Sequence, residues 1–295
     1  MVVFVASSLT TEAQSTQRLH RGLQASPIVG VLDFGPTPTG KLAAETLRRR
    51  LRATGELNVA DADLSRAAAK GIGYSGSLNL SVAEARDLGA ALASEFYLIG
   101  DAQTLRRSSF ERPVYYESYC SIFLVSARTG QLLFWERPSF ETNEATSAEA
   151  QLSQYLSSDD LRRRLLEVLR QAHSDDRISR TIISTPAEAV IEETPDDEEA
   201  AEIRGIRLPR AISRVRPEYP ATAARAEAEA TVDVVADVGT DGEVHDVQVV
   251  RWAGFGLDEV TTATVRQLHF FPALKNGTPV RMRVMLRYNF RKPPR

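Results

Sequence analysis

The chain has 295 residues, 43% hydrophobic and 25% charged, with a formal net charge of -3. Those proportions are globular, which excludes a wholly disordered, collagen-like or disulfide-stapled chain. The charge excludes a general nucleic-acid binder, which needs a basic excess to neutralise phosphates.

Val2–Leu9 is a short apolar run followed by Thr11-Glu12-Ala13-Gln14, a small-x-small pattern ending at Ala13. This resembles an export signal without its basic start, since neither Lys nor Arg occurs before Arg18. Residues 1–15 are therefore read as a remnant signal peptide or a frayed terminus, and a periplasmic location is expected. No stretch offers the roughly 20 apolar residues of a membrane helix.

Elements of α/β type follow. Pro27–Phe34 reads as an apolar strand ending in the turn residues Gly35–Gly40. Lys41–Leu51 has helical spacing, with Leu42, Leu47 and Leu51 on or near one face. Leu57–Val59 is a short strand and Leu64–Lys70 a short helix. Ser81-Val82-Ala83-Glu84 is a capping box opening a helix to Leu92. Phe96–Gly100 is a strand, and Tyr115–Ser126 pairs with Gln131–Trp135 as a hairpin. Ser158–Gln171 closes this region as a helix. The phrase VGVLDF, the run Leu88–Gly100 and the segment ARTGQLLF resemble the CsgG and TolB N-terminal group of envelope domains. That resemblance implies an α/β sandwich over residues 27–173, without known catalysis.

Residues 1–173 carry 19 basic and 19 acidic residues, 174–205 carry 3 and 10, and 206–295 carry 14 and 10. The middle net charge of -7, with Pro186 and Pro195 and no aromatic residue, reads as an acidic flexible linker. Its like charges extend it, so the two ends are expected to move semi-independently. The alternative is an acidic strip docking on the basic C-terminal region.

In the last region, Pro217–Pro220 precedes an alanine-rich helix, and Thr231–Val238 is a strand. Asp241-Gly242 supplies the positive φ of a tight turn. Val244–Trp252 returns as a strand, and Leu257–Leu268 is a helix. Asn276-Gly277 marks a second turn. Val280–Phe290 alternates strictly, with Met282, Val284, Leu286, Tyr288 and Phe290 on one side and Arg281, Arg283, Met285, Arg287, Asn289 and Arg291 on the other. The ordered set Tyr219, Pro220, Asp241, Gly242, Phe271, Pro272, Ala273, Asn276 and Gly277 resembles the TonB C-terminal domain over about residues 209–291. A glycine usual before the first long strand is replaced here by Glu229-Ala230. The whole is thus expected to be α+β: an α/β sandwich over 27–173, a linker over 174–205, and a helix on a small antiparallel sheet over 206–292.

The TonB resemblance implies capture of an extended peptide of an outer-membrane receptor or other envelope protein along an open strand edge. The candidate edge is Arg281–Arg291, whose arginines suit an acidic peptide. The same arginines also serve as guards against aggregation, and an edge-to-edge homodimer is a further expectation. The alternative function is a TonB-family energy transducer whose membrane anchor lies upstream of Met1.

The remaining residues suggest neither enzyme nor cofactor nor metal. Cys120 cannot form an internal disulfide, and His20, His173, His245 and His269 lack metal-ligand spacing. Gly71–Gly76 spells GxGxxG but follows a helix, where a dinucleotide site needs a preceding strand. Asp61 and Asp63 are explained as capping residues. Asp33 is the one carboxylate placed at a strand end like a catalytic group, and it has no visible partner.

Overall fold

The computed structural model describes residues 26–181, 192–193, 203–213 and 215–292; the expected signal remnant and His20 lie outside them. The fold is mixed α/β, with seven helices among the described residues. In the N-terminal portion the elements are β1 (Ile28–Val31), α1 (Pro38–Arg52), β2 (Asn58–Val59), α2 (Ala62–Gly71), α3 (Val82–Ala91), β3 (Phe96–Arg107), β4 (Tyr115–Ser126), β5 (Leu132–Glu136), β6 (Ser139–Thr142), α4 (Ala145–Leu156) and α5 (Asp159–Thr181). The strand order is β2-β1-β3-β4-β5, with β6 also on β4. β1 runs parallel to β2 and β3, and the other pairs are antiparallel.

Both faces of this sheet are covered, as continuous apolar runs require. Phe96–Ile99 and Ile122–Val125 are buried at every position. On one face α1, α4 and α5 pack through Leu47, Leu51, Leu152, Leu161 and Leu165. On the other, α3 contributes Ala85 and Leu88. The capping box forms: Ser81 N–H donates to Glu84 at 2.7 Å, and Glu84 N–H donates to Ser81 Oγ at 3.2 Å. One leucine expected on the inner face, Leu42, points outward instead. Leu64 is also exposed, while Ala43, Ala44 and Ala69 take the inner positions. The Tyr115–Trp135 hairpin forms, but the longer pairing is β3 with β4, from Phe96–Ser126 to Arg107–Tyr115.

The C-terminal portion contains β7 (Glu192–Glu193), β8 (Ile206–Arg207), β9 (Arg210–Ala211), α6 (Ala221–Ala226), β10 (Ala230–Val238), β11 (Val244–Arg251), α7 (Leu257–Val265), β12 (Phe270–Phe271), β13 (Ala273–Lys275), β14 (Thr278–Val280) and β15 (Met282–Phe290). Its main sheet has the order β11-β10-β15-β7. α7 buries Leu257 and Val265 over Val232, Val234, Ala236, Met282 and Val284. Asn276 and Gly277 both have positive φ, 49° and 84°, as the β13–β14 hairpin demands.

The two portions are not semi-independent. Trp252, read above as a strand end, is 1% exposed and lies in the N-terminal core with Tyr97, Ile99 and Phe123. Its ring stacks on Phe123 at 5.9 Å, and Phe255 meets Phe123 edge-on at 5.5 Å. Gly254 is required between them, because a Cβ there would stand 2.6 Å from the Phe123 ring. The Trp252 indole N–H donates to Gly130 O at 2.9 Å. Burying this apolar surface outweighs the freedom lost by joining the two ends. The stretch read as linker begins inside a helix: α5 continues to Thr181, with Asp176 buried against Arg128.

Candidate functional site

The site is built on β15. β10 pairs with it antiparallel along its whole length, from Ala230–Phe290 to Val238–Met282. The alternation read from sequence sets its faces: Met282, Val284 and Phe290 are buried, while Met285 is 65% exposed. Ala230, standing where a glycine is usual, joins the ladder in ordinary register opposite Phe290.

The arginine face meets acidic partners inside the sheet. Arg287 donates from Nε and Nη2 to Asp233 at 2.7 and 2.9 Å. Arg283 Nε donates to Asp237 at 3.0 Å, and Arg281 stands 3.4 Å from the same carboxylate. Arg251 Nε completes the group, 3.4 Å from Asp233. The Arg287 guanidinium holds the Asp233 carboxyl below the usual carboxylate range, against the opposing effect of burial. These cross-strand pairs lay outside the sequence reading, which considered the arginines without the aspartates of the neighbouring strand. Asn289 accepts from the Thr231 hydroxyl at 2.8 Å, and Arg291 follows the strand as an exposed residue.

The residues of the family-like set take local structural positions. The Tyr219 hydroxyl donates to Ala228 O at 2.7 Å, and its ring lies 6.4 Å from that of Phe290. Pro220 caps α6. Asp241 accepts from Glu243 N–H at 3.0 Å, and Gly242 lies so near Phe270 O that a Cβ would stand 2.0 Å from it. Phe271 is half exposed beneath Arg210, Pro272 follows it, and Ala273 is buried at the start of β13.

The two outer strands differ. The end of β11 is closed by the N-terminal portion. Trp252 N–H donates to Leu80 O at 3.1 Å, Arg251 bridges to Ser81, and the Gln131 amide donates to Val249 O at 3.3 Å. Asn79 fastens the same border. Its amide nitrogen donates to Thr231 O at 2.8 Å and Trp252 O at 2.7 Å, and its oxygen accepts from Thr231 N–H at 3.0 Å. The outer side of β15 meets two described residues: Glu192 lies opposite Met282 and Glu193 opposite Arg283, in parallel.

The other sequence candidates are held elsewhere. Asp33 accepts from Arg48 at 2.6 Å, with Arg66 at 3.4 Å, so its partners are cationic anchors. Asp61 caps α2 through Asp63 N–H and Leu64 N–H. Gly71 ends α2, and Gly73–Gly76 lie between it and the Ser81 cap. Cys120 is buried, which pushes its thiol well above the ordinary range. His173, His245 and His269 each stand beside one carboxylate, in three separate places. Among the described residues no group of three or more His, Cys, Asp or Glu side chains is placed to hold a metal ion. No helix among them is long and apolar enough to cross a membrane.

Residues 215–291 match the family model described as the Gram-negative bacterial TonB protein C-terminal. Over 81 residues the chain is 35% identical to Protein TonB of Klebsiella pneumoniae. That match takes in 28% of this chain and 33% of the relative, so the chain spans about a third of the length of the curated relative it matches. These residues are a TonB C-terminal domain. Solved structures similar to this chain include lipoprotein GNA1162 from Neisseria meningitidis (13% identity, TM-score 0.33, 48% of this chain and 99% of that one). The LpoB C-terminal domain from Escherichia coli is another (16% identity, TM-score 0.27, 44% and 95%). Likenesses at these scores carry no argument about function.

Proposed function

We propose that this chain is a non-catalytic periplasmic envelope protein, and that its TonB C-terminal domain captures an extended segment of an outer-membrane protein as an added strand along β15. The supporting observation is the asymmetry of the sheet. The end of β11, from Val249 on, is closed by Leu80, Ser81 and Gln131, whereas the outer side of β15 from Val284 to Phe290 meets no strand among the described residues. An edge of that kind presents main-chain N–H and C=O groups in register for a guest. Arg281, Arg283, Met285, Arg287, Asn289 and Arg291 form the face beside the guest. Asp233 and Asp237 already engage three of these arginines, so the guest's affinity comes chiefly from main-chain pairing.

The experiment is a titration of the full chain with synthetic peptides taken from the N-terminal segments of outer-membrane receptors, followed by amide NMR. Shifts confined to residues 282–290 are expected. Absence of binding at millimolar peptide, or shifts centred on β11, overturns the reading. A concentration-dependent dimer that the peptide dissolves supports the same edge.

The match to Protein TonB also favours a second reading, an energy transducer for outer-membrane transport. An encoded apolar segment of about 20 residues upstream of Met1 is what that reading requires.

A further inference from the structure

A cleft of about 1020 Å³ lies where the two portions meet. Its N-terminal side is a sheet face. There Arg107 stands opposite Tyr115, and Glu117 opposite Glu141, on the paired strands β3, β4 and β6. Trp135 of β5 and Arg164 of α5 border the cleft, and the C-terminal portion adds Arg225 of α6 and Phe255. Its charges do not cancel. Glu117 is held by Arg107 and Arg137, each at 3.0 Å, and by the Ser139 hydroxyl at 2.8 Å. Glu136 is held by Arg164 at 2.9 Å, Glu227 by Lys292 at 2.7 Å, and Glu141 by Arg112. Every carboxylate lining the cleft thus has a cation. Arg106 and Arg225, which also line it, are exposed and have no acidic partner among the described residues. The floor is fixed as well: the Arg137 guanidinium lies 4.0 Å over the Tyr119 ring, and that of Arg112 lies 4.1 Å over Tyr115. Phe255 and Glu227 line the cleft with positive φ, 56° and 50°, a strain that collects at ligand sites.

We propose that this cleft binds an acidic oligosaccharide, a sugar chain bearing carboxylates, with Arg106 and Arg225 taking its charges and Trp135 its ring face. The site is separate from the β15 edge and does not depend on strand capture there. Junctions between packed portions are where ligand clefts preferentially form. A sugar ring surrounds an apolar C–H face with hydroxyls that both donate and accept. The arginine–glutamate pairs offer donors and acceptors side by side: Arg107 and Arg137 each give one N–H to Glu117, out of the five a guanidinium carries. Trp135 is partly buried and its indole N–H is fixed on Glu259 at 3.2 Å, so the ring is a rigid apolar platform. The guanidinium fork of an uncommitted arginine matches a carboxylate in two-point geometry. An extended peptide, by contrast, pairs along a strand edge, and the floor here is a face whose main-chain groups already serve the β3–β4 and β4–β6 ladders.

The test titrates the full chain with three probes: tetragalacturonate, the neutral sugar maltotetraose and the acidic peptide hexaglutamate. Kd is measured by calorimetry, and the two tryptophan indole N–H signals are followed by NMR. Tetragalacturonate is expected to bind, to move the Trp135 signal and to leave that of buried Trp252 in place. Its affinity should fall with added salt, since exposed charges are screened. The double variant Arg106→Ala/Arg225→Ala changes two exposed side chains and should weaken it at least about tenfold. Trp135→Leu should weaken it several-fold without changing any affinity for hexaglutamate, and an unmoved Trp252 signal shows that each variant is folded. Absence of tetragalacturonate binding, or an equal Kd in the double variant, overturns the proposal. Maltotetraose binding as tightly overturns the acidic class. Hexaglutamate binding as tightly and moving the same indole overturns the sugar assignment in favour of an acidic peptide.

Discussion

The two outer strands of the C-terminal sheet offer the same main-chain chemistry and meet opposite surroundings. Trp252 directly follows β11, and with its indole buried in the N-terminal core Leu80, Ser81 and Gln131 border the end of the strand. β15 ends in Phe290, which turns inward against Tyr219 and leaves the strand's outer side to a two-residue partner. The contrast shows that sheet edges are protected by what their end residues bury. A large apolar group aimed outward brings a neighbouring layer with it, while one aimed inward leaves the edge to charge.

The strongest way to break this contrast is Trp252→Ala. Removing a fully buried ring should cost about 3–5 kcal/mol and lower a single unfolding transition. Calorimetry of the variant checks it, and an unchanged transition temperature means that the β11 border is held some other way.

Asp258 gives the next effect. It accepts from Ala253 N–H and Gly254 N–H, both at 2.8 Å, and so secures the loop between Trp252 and Phe255. Burial pushes its carboxyl up to about 7. The folded state therefore binds a proton that the unfolded state releases near pH 4. Its contribution to stability is complete below pH 4 and is lost as pH rises towards 7, a change on the order of 2–4 kcal/mol. Urea midpoints from pH 4 to 7.5 should fall in the wild type and stay flatter in Asp258→Asn.

Asn79→Ala removes three hydrogen bonds at the closed border and should cost about 1–3 kcal/mol. Faster hydrogen exchange at Thr231 is the local sign. The smallest effect belongs to the open side. Arg287→Ala should change stability by only about 0.2–1 kcal/mol, because Arg287 is 59% exposed. Chemical denaturation checks this, and a cost equal to that of Asn79→Ala would erase the distinction between the two edges.

What was legible in the sequence follows the same division. The Ser81–Glu84 cap, the Asn276-Gly277 turn and the alternation of 280–290 depend on neighbours a few residues away, and local chemistry identifies them. Leu42 has helical spacing without burial, since periodicity gives a face and not the layer that meets it. Asp233 with Arg287 and Asn79 with Thr231 join residues far apart in the chain, so their pairing depends on register. One signal was available and unused. Ile122–Val125 lacks alternation, which requires cover on both faces, and α3 alone is too short to provide it. Trp252 and Phe255 complete that cover. The β15 edge as a landing site follows from the alternation, but its pairing with Glu192 and Glu193 has no local signature.

Asn79 presents its side-chain amide to Thr231 as though it were one more main-chain unit of the sheet. The C-terminal domain thus borrows a piece of its own framework from a loop more than a hundred positions earlier. Cut free at residue 206, it would bare an indole and an unmet amide pair on one flank, a surface that favours self-association. Oligomers of the excised piece would report that wound rather than the assembly habit of the intact molecule.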